Sequence, residues 1–261
     1  MGLMDGKRGL VMGVANDHSI AWGIAKALHA QGAELAFTYQ GEAFGKRVAP
    51  LAESVGSSIM VDVDVTDDAS LDAAFDRIKE EWGSLDFVIH AIAYSDKSEL
   101  TGRFIDTSRD NFKNSLTISC YSLIDVARRA RLLMKDGGSI ITLSYMGSQR
   151  VTPYYNVMGV AKAALESAVR YLANDLGPEG IRVNAISPGP MRTLAGAAIG
   201  GARKTYRNTE ANSPLRSNAT LEAIGGTAVY LCSDGGASTT GANIPVDGGF
   251  HVMGMNQPEN L

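Results

Sequence analysis

Short apolar segments alternate with helix-patterned segments along almost the whole chain, and this alternation restricts the fold more than any other feature of the sequence. Residues 85–92 form a nearly continuous apolar run, typical of a strand buried on both faces of a parallel sheet. From Val157 to Leu172, apolar residues recur at three- and four-residue steps, which is the period of an amphipathic helix. Such alternation predicts parallel strands joined by helical crossovers.

The predicted strands number seven and occupy residues 9–12, 35–39, 59–63, 85–92, 139–143, 183–186 and 243–246. Helices are expected between them, including 69–82, 109–134 and 221–232. No proline- or serine-rich linker interrupts the order, so we expect one domain over residues 1–261. The predicted fold class is α/β: a single doubly wound (Rossmann-like) domain of about seven parallel strands with helices on both faces.

Composition and charge argue against several kinds of partner. The 261 residues are 45% apolar and 20% charged, which is an ordinary balance for a globular protein. A net charge of -4 gives no indication of the basic surface that is typical of nucleic-acid-binding proteins. The dense basic cluster at residues 128–131 is interpreted as a solvated helix face or a subunit contact. We therefore expect no nucleic-acid partner.

The sequence also indicates a compartment. No apolar run approaches the length of a membrane span, and no signal peptide precedes the first predicted strand, so we expect a cytoplasmic protein without membrane contacts. Cys120 and Cys232 lie in apolar helical contexts and are expected to be small core residues rather than a disulfide. The four histidines lack metal-ligand spacing, and no metal site is expected.

A glycine-containing loop joins the first predicted strand to the first helix. Gly13 would let the backbone turn sharply, and Ser19 could cap the helix and bond a phosphate oxygen. Gly23 would allow close helix–strand packing. The helix N-terminus would then hold an anion such as a pyrophosphate. Elsewhere in a chain a plain strand–helix turn would explain the same residues, but here the loop opens the first such unit.

The next predicted strands end in residues suited to a dinucleotide. Gln40 could bond a ribose hydroxyl, which favours NADH, although Lys46 and Arg47 could reach back toward the 2′-phosphate of NADPH. Asp64 could accept a hydrogen bond from the adenine amino group. For both residues a simple loop or turn is the alternative. Ile92 closes the fourth strand among small residues, and Ser95 would lie at the mouth of a site.

The most informative stretch runs from a strand end into a long helix. Tyr145 lies in the loop, Tyr155 is expected in the helix's first turn after Pro153, and Lys162 follows seven residues later. Seven residues are about 700° of helix rotation, so the phenol of Tyr155 and the ammonium of Lys162 fall on nearly one face. That pair suits the stabilisation or protonation of an oxyanion. Surface residues of an ordinary helix are the alternative.

These candidates all lie at carboxyl ends of predicted strands, where doubly wound sheets bind ligands. The positions, in six different strand–helix units, are Gly13, Gln40, Asp64, Ile92, Tyr145 and Met191. The segment 194–202, rich in alanine and glycine, follows the sixth strand and is expected to be part of a mobile lid around residues 191–210. A surface insertion without function is the alternative.

With these motifs the chain resembles the short-chain dehydrogenase/reductases over nearly its whole length. Most members carry tyrosine and lysine four residues apart and a serine thirteen residues before the tyrosine. Here Met158 and Tyr145 occupy those two places, and the tyrosine is Tyr155, seven residues before Lys162. This replacement resembles the bacterial NADH-dependent enoyl-acyl-carrier-protein reductases of type I.

The resemblance implies roles for individual residues. Catalysis would involve Tyr145, Tyr155 and Lys162, and the substrate would contact Ser95 and Tyr155. The residues implied in dinucleotide binding are Gly13, Ser19, Ile20, Gln40, Asp64, Val65, Ile92, Lys162, Met191, Arg192, Thr193, Leu194 and Ala195. The implied activity is NADH-dependent reduction of the trans-2 double bond of an enoyl thioester on acyl carrier protein, by a homotetramer.

Two rival functions follow from the same residues. An ordinary carbonyl or alcohol reductase of the superfamily is disfavoured by Met158 and Tyr145. A silent NAD-binding regulator would have no need for Tyr155 and Lys162 together. Relatives often carry a bulkier aromatic residue near Ala202, so chain-length preference and lid closure stay open.

Overall fold

The computed structural model describes residues 2–194, 196 and 200–260, and seven parallel strands in them form one sheet of order β3-β2-β1-β4-β5-β6-β7. The strands are β1 (Arg8–Met12), β2 (Glu34–Tyr39), β3 (Met60–Asp62), β4 (Phe87–His90), β5 (Gly138–Leu143), β6 (Ile181–Pro188) and β7 (Asn243–Val246). The α/β, doubly wound prediction is confirmed, because the strand order reverses between β1 and β4.

Helices connect the strands. They are α1 (Ile20–Ala30), α2 (Gly41–Ser54), α3 (Asp68–Trp82), α4 (Lys97–Leu100), α5 (Arg109–Leu116), α6 (Ser122–Ala130), α7 (Asn156–Leu176), α8 (Ala202–Asn212) and α9 (Leu221–Cys232). Within the described ranges, none of them has the length and apolar character that a bilayer crossing requires.

The core divides into two layers, one on each face of the sheet. Val88 of β4 belongs to one layer, whereas its neighbours Phe87 and Ile89 belong to the other, as the alternation of side chains along a strand requires. All three side chains are fully buried. Burial of each such side chain contributes about 1.5–3 kcal/mol. This two-sided burial explains why residues 85–92 form an unbroken apolar run.

Gly23 has a different packing role from the one predicted. A Cβ atom at Gly23 would lie 2.8 Å from the Cβ of Leu221, and one at Gly225 would lie 2.6 Å from the Cβ of Ala27. The two glycines therefore allow α1 and α9 to cross closely, and the predicted helix–strand contact is wrong. The glycine pattern after β1 indicated close packing at Gly23 but could not identify the partner.

The predicted helix over residues 109–134 is interrupted. A π-helical segment, Thr117–Tyr121, separates α5 from α6 and packs against α7. Single π-helical turns inserted in helices are common at functional sites. The half-buried thiol of Cys120 lies in this segment, and Cys232 is buried at the end of α9.

The long helix α7 begins at Asn156, three residues later than expected. Tyr154 and Asn156 have φ values of +62° and +37°, which form a turn rather than a helical first turn after Pro153. The Asn156 side chain stabilises this turn, since Nδ2 donates to the carbonyl oxygens of Leu100 at 3.2 Å and of Gly102 at 2.9 Å. Tyr155 is consequently at the helix N-cap position.

The basic cluster at residues 128–131 pairs largely with acids of the same chain. Arg129 on α6 contacts Asp68 at 3.0 Å and Asp72 at 2.7 Å on α3, and Asp125 at 2.5 Å on its own helix. Arg131 lies 3.2 Å from Glu179. The expected solvated face is therefore wrong for Arg129, whose side chain is mostly buried and ties α6 to α3.

Candidate active site

A cleft of about 730 Å³ opens at the carboxyl ends of the strands. Ligand sites typically enclose roughly 300–1,000 Å³, so the cleft has room for a sizeable ligand. The predicted site residues that line it are Ile20, Ile92, Ser95, Tyr145, Tyr155, Lys162, Met191, Thr193 and Leu194. Those that do not line it are Gly13, Ser19, Gln40, Asp64, Val65 and Arg192. Ala195 lies outside the described residues.

Tyr155 is held in the cleft by close contacts. Its ring meets the ring of Tyr145 edge to face, with centroids 4.9 Å apart. A Cβ atom at Gly147 would lie 2.5 Å from Cδ1 of Tyr155, so only glycine leaves room for the ring. The residue is 6% exposed, and desolvation raises the pKa of Tyr155 well above its ordinary value. Burial also raises the pKa of Tyr145 to about 12. Both phenols are therefore neutral hydrogen-bond donors near pH 7.

Lys162 is a buried ammonium in the same cleft. It is 5% exposed, and its Nζ donates to the carbonyl oxygen of Leu143 at 2.8 Å. Desolvation lowers the pKa of Lys162 to about 8, while interactions with Cys120 and Glu166 act in the opposite direction. Because lysine carries three N–H donors, the group retains donors for a ligand.

Glu166 is a site residue that the sequence prediction missed. Its carboxylate is 7% exposed and accepts hydrogen bonds from the hydroxyls of Ser144 and Ser148, each at 2.5 Å. The side-chain amide of Gln149 lies 3.4 Å away. The available signal was the four-residue step from Lys162, which puts both charges on one buried helix face.

Gly13 confirms the expected sharp turn after β1. Its φ is +94°, and a Cβ atom there would lie 2.1 Å from the carbonyl oxygen of Ala91. Ser19 has another role than the predicted helix cap, because its hydroxyl makes no capping bond to α1. It instead accepts the N–H groups of Ala15 and Asn16, each at 3.0 Å, and so shapes the loop.

Gln40 and Asp64 meet at the ends of β2 and β3. Nε2 of Gln40 donates to the Asp64 carboxylate at 3.1 Å. Hydrogen bonds from the side chain and backbone of Thr66 lower the pKa of Asp64, so the carboxylate is charged at neutral pH. Val65 packs against the core rather than toward the cleft. This pair forms a polar edge outside the cleft lining, where it presents both donor and acceptor groups.

Ser95 and part of the segment predicted to be a lid line the cleft. The Ser95 hydroxyl lies 3.3 Å from Oδ1 of Asn111, which also accepts the Asp96 N–H at 2.9 Å. Asn111 was not identified from the sequence. Across the mouth, the guanidinium of Arg192 stacks over the Tyr206 ring at 4.4 Å. Residues 202–212 form helix α8, so that part of the predicted lid is regular structure.

Comparison with protein-family models shows which family this chain belongs to. A family model described as enoyl-(acyl carrier protein) reductase matches residues 13–251. The chain belongs to the enoyl-acyl-carrier-protein reductase family. The predicted resemblance is thereby confirmed. Members of this reductase family are among the similar proteins and structures.

A curated relative from Rhizobium meliloti, enoyl-[acyl-carrier-protein] reductase [NADH] 2, is 60% identical over 260 residues, covering 100% of this chain and 97% of the relative. The crystal structure of the Anaplasma phagocytophilum reductase in complex with NAD has a TM-score of 0.95 and 57% identity, covering 98% of each chain. The Bacillus cereus reductase with NADP+ and indole naphthyridinone has a TM-score of 0.96 and 50% identity, covering 98% of this chain and 100% of the other.

Proposed function

We propose that this chain reduces the trans-2 double bond of an enoyl thioester carried on acyl carrier protein, with NADH as the reductant. It thus performs the last step of the bacterial type II fatty-acid elongation cycle (EC 1.3.1.9). The observation that carries the proposal is the pair of Tyr155 and Lys162, a buried neutral phenol and a buried ammonium lining one cleft. Full-length relatives named as NADH enoyl-acyl-carrier-protein reductases support it.

The residues present fit a nicotinamide dinucleotide. Ile20, Ile92 and Met191 supply apolar walls in the cleft, which suit planar rings. Lys162 keeps donors for ribose hydroxyls, and Gln40 with Asp64 presents a donor and a carboxylate at the adenosine end. The carboxylate at this edge would repel a 2′-phosphate, which favours NADH over NADPH.

When bound, NADH would supply a hydride to the β-carbon of the enoyl thioester. Negative charge would then develop on the thioester carbonyl oxygen, and uptake of a proton at the α-carbon would complete the reduction. The O–H of Tyr155 donates to that oxygen, and Lys162 raises the positive potential around it. A positioned donor of this kind contributes about 10²–10⁴-fold to the rate. Tyr145 fixes the Tyr155 ring through the edge-to-face contact.

The other site and assembly assignments belong to the same proposal. Residues 191–210 act as a lid over the thioester, and Ser95 lines its path. The protein works as a cytoplasmic homotetramer. Exposed apolar side chains on two helical regions support an assembly through those helices; they are Phe112, Tyr121, Ile124, Val160 and Tyr171.

The test is to follow NADH absorbance with the purified chain and crotonyl or longer trans-2-enoyl thioesters. A parallel reaction with a ketoacyl thioester tests the carbonyl-reductase alternative, and NADPH replaces NADH in a third arm. We expect NADH to be oxidised in the presence of the enoyl thioester but not in the presence of the ketoacyl thioester. Turnover of only the ketoacyl thioester, or binding of NADH without any turnover, contradicts the proposal. Light scattering of the purified protein tests the tetramer.

A further inference from the structure

The carboxylate of Glu166 lies buried beneath the active-site turn, in contact with the groups on both sides of Tyr145. Ser144 precedes Tyr145 and Ser148 ends the short turn that follows it, and each hydroxyl donates to Oε1 of Glu166 at 2.5 Å. The N–H of Ser148 also bonds the carbonyl oxygen of Tyr145 at 3.0 Å. The segment that carries Tyr145 is therefore fastened at both ends to one carboxylate.

The Glu166 side chain also interacts electrostatically with Lys162. The two residues are one helical turn apart on α7, and both side chains are buried. Lys162 bonds the backbone oxygen of Leu143, while Glu166 bonds the hydroxyl of the next residue, Ser144. A buried ammonium and a buried carboxylate are costly separately, and each lowers the cost of burying the other.

We propose that Glu166 is a positioning residue for this reaction: it holds the Tyr145 turn through two serines and supplies the negative charge that keeps Lys162 protonated. This inference rests on the proposed function for its kinetic consequence. Its effect on NADH binding can be measured separately. Glu166 acts through Tyr145 and Lys162 and is not required to touch the substrate or the dinucleotide.

Other titratable groups also face Lys162. Cys120 lies on the π-helical segment, and desolvation raises the pKa of its thiol. His90 on β4 is fully buried between Thr142 and Ser122, and desolvation lowers its pKa to about 3. The pKa values of Tyr145 and Tyr155 are raised by burial. These four groups are neutral near pH 8 and therefore supply no negative charge to Lys162.

The negative charge of the Glu166 carboxylate determines the direction in which the pH dependence of NADH binding should change in a variant. Burial lowers the pKa of Lys162 to about 8, and the Glu166 carboxylate opposes that shift. Removal of the carboxylate charge would lower it further, so the ammonium would lose its proton at lower pH. NADH affinity should fall at high pH, and this fall is called the alkaline limb. The alkaline limb should therefore move to lower pH in Glu166→Gln.

The experiment compares Glu166→Gln with Glu166→Asp, and with Glu179→Gln as a control that removes an exposed carboxylate just after the same helix. NADH affinity is measured by fluorescence titration across pH 6.5–9.5, and kcat is measured with a trans-2-enoyl thioester. For Glu166→Gln we expect kcat to fall about tenfold. Its alkaline limb should move down by about one pH unit. Glu166→Asp should restore the limb, and Glu179→Gln should match wild type.

A Glu166→Gln variant whose alkaline limb coincides with that of wild type overturns the proposal, whatever its turnover. If this variant does not fold, as judged by circular dichroism, the double variant Ser144→Ala, Ser148→Ala cuts the same hydrogen bonds while it keeps the carboxylate. It should lower kcat without moving the limb, and full turnover would overturn the proposal. Wild-type protein that binds NADH but reduces no enoyl thioester would refute the proposed function instead, while the binding limb would still test Glu166.

Discussion

The rings of Tyr145 and Tyr155 pack edge to face, with a centroid distance of 4.9 Å and an interplanar angle of 63°. Edge-to-face aromatic pairs contribute about 0.5–1.5 kcal/mol beyond the area they bury. The first tyrosine comes from the turn after β5 and the second from the start of α7. The contact therefore fixes the donor on the helix relative to the end of the sheet, where the dinucleotide would lie.

Tyr155→Phe is expected to slow reduction by about 10²–10⁴-fold, because it removes the proposed donor to the carbonyl oxygen and keeps the ring. The affinity of this variant for NADH should remain close to that of wild type. Stopped-flow or steady-state NADH absorbance gives the rate, and fluorescence titration gives the affinity. Tyr230→Phe, at an exposed tyrosine on α9, is the matched control. Unchanged turnover in the Tyr155 variant would refute its assigned role.

The activity of the wild-type protein should fall as pH rises through about 8, since Lys162 loses its proton there. The value of kcat/KM for NADH reports groups of the free enzyme and is the quantity to measure. Lys162→Ala should weaken NADH binding and abolish this alkaline limb. A limb that persists unchanged in Lys162→Ala would assign the titration to another group.

Gly147→Ala should impair catalysis although glycine carries no functional group. The added methyl would lie 2.5 Å from Cδ1 of Tyr155 and would displace the ring. A displacement of about 1 Å costs on the order of 100-fold in rate. The control is Gly102→Ala, where a methyl would meet no atom within 4 Å. If kcat of Gly147→Ala equals that of the control, the ring position does not limit the rate.

Alanine substitutions at two adjacent glycines of α9 should change the free energy of unfolding in opposite directions. At Gly225 a methyl would lie 2.6 Å from the Cβ of Ala27 on α1, so overpacking should lower the free energy of unfolding by about 1–3 kcal/mol. At Gly226 a methyl would meet no atom within 4 Å, and alanine should stabilise the helix by about 0.5–1 kcal/mol. Denaturant unfolding measures both changes, and equal effects would contradict the helix crossing.

Much of the architecture was predictable because it depends on local periodicity. All seven strands were anticipated, and the bounds of β7 and α9 matched those expected. The start of α7 was not predicted, because Pro153 suits a helix's first turn and the competing turn depends on Asn156 bonding distant carbonyl oxygens. The break between α5 and α6 had no local signal either.

For the site, the spacing of Tyr145, Tyr155 and Lys162 indicated the chemistry only together with the strand-end positions and the family resemblance, and the structure brings these three side chains into one cleft. Glu166 and Asn111 were missed because an acid or amide within a helix usually lies on a solvated face. Only their contacts with Ser144, Ser148, Ser95 and Asp96 distinguish them.

The sequence by itself determined which faces are apolar, the order of strands and helices, and the residues placed at the strand ends, because these follow from side-chain period and chain direction. The tertiary structure decided which groups meet: Gly23 with α9 rather than a strand, and Glu166 with the serines around Tyr145. It also decided the protonation of Lys162, since desolvation depends on surroundings that come from distant parts of the chain.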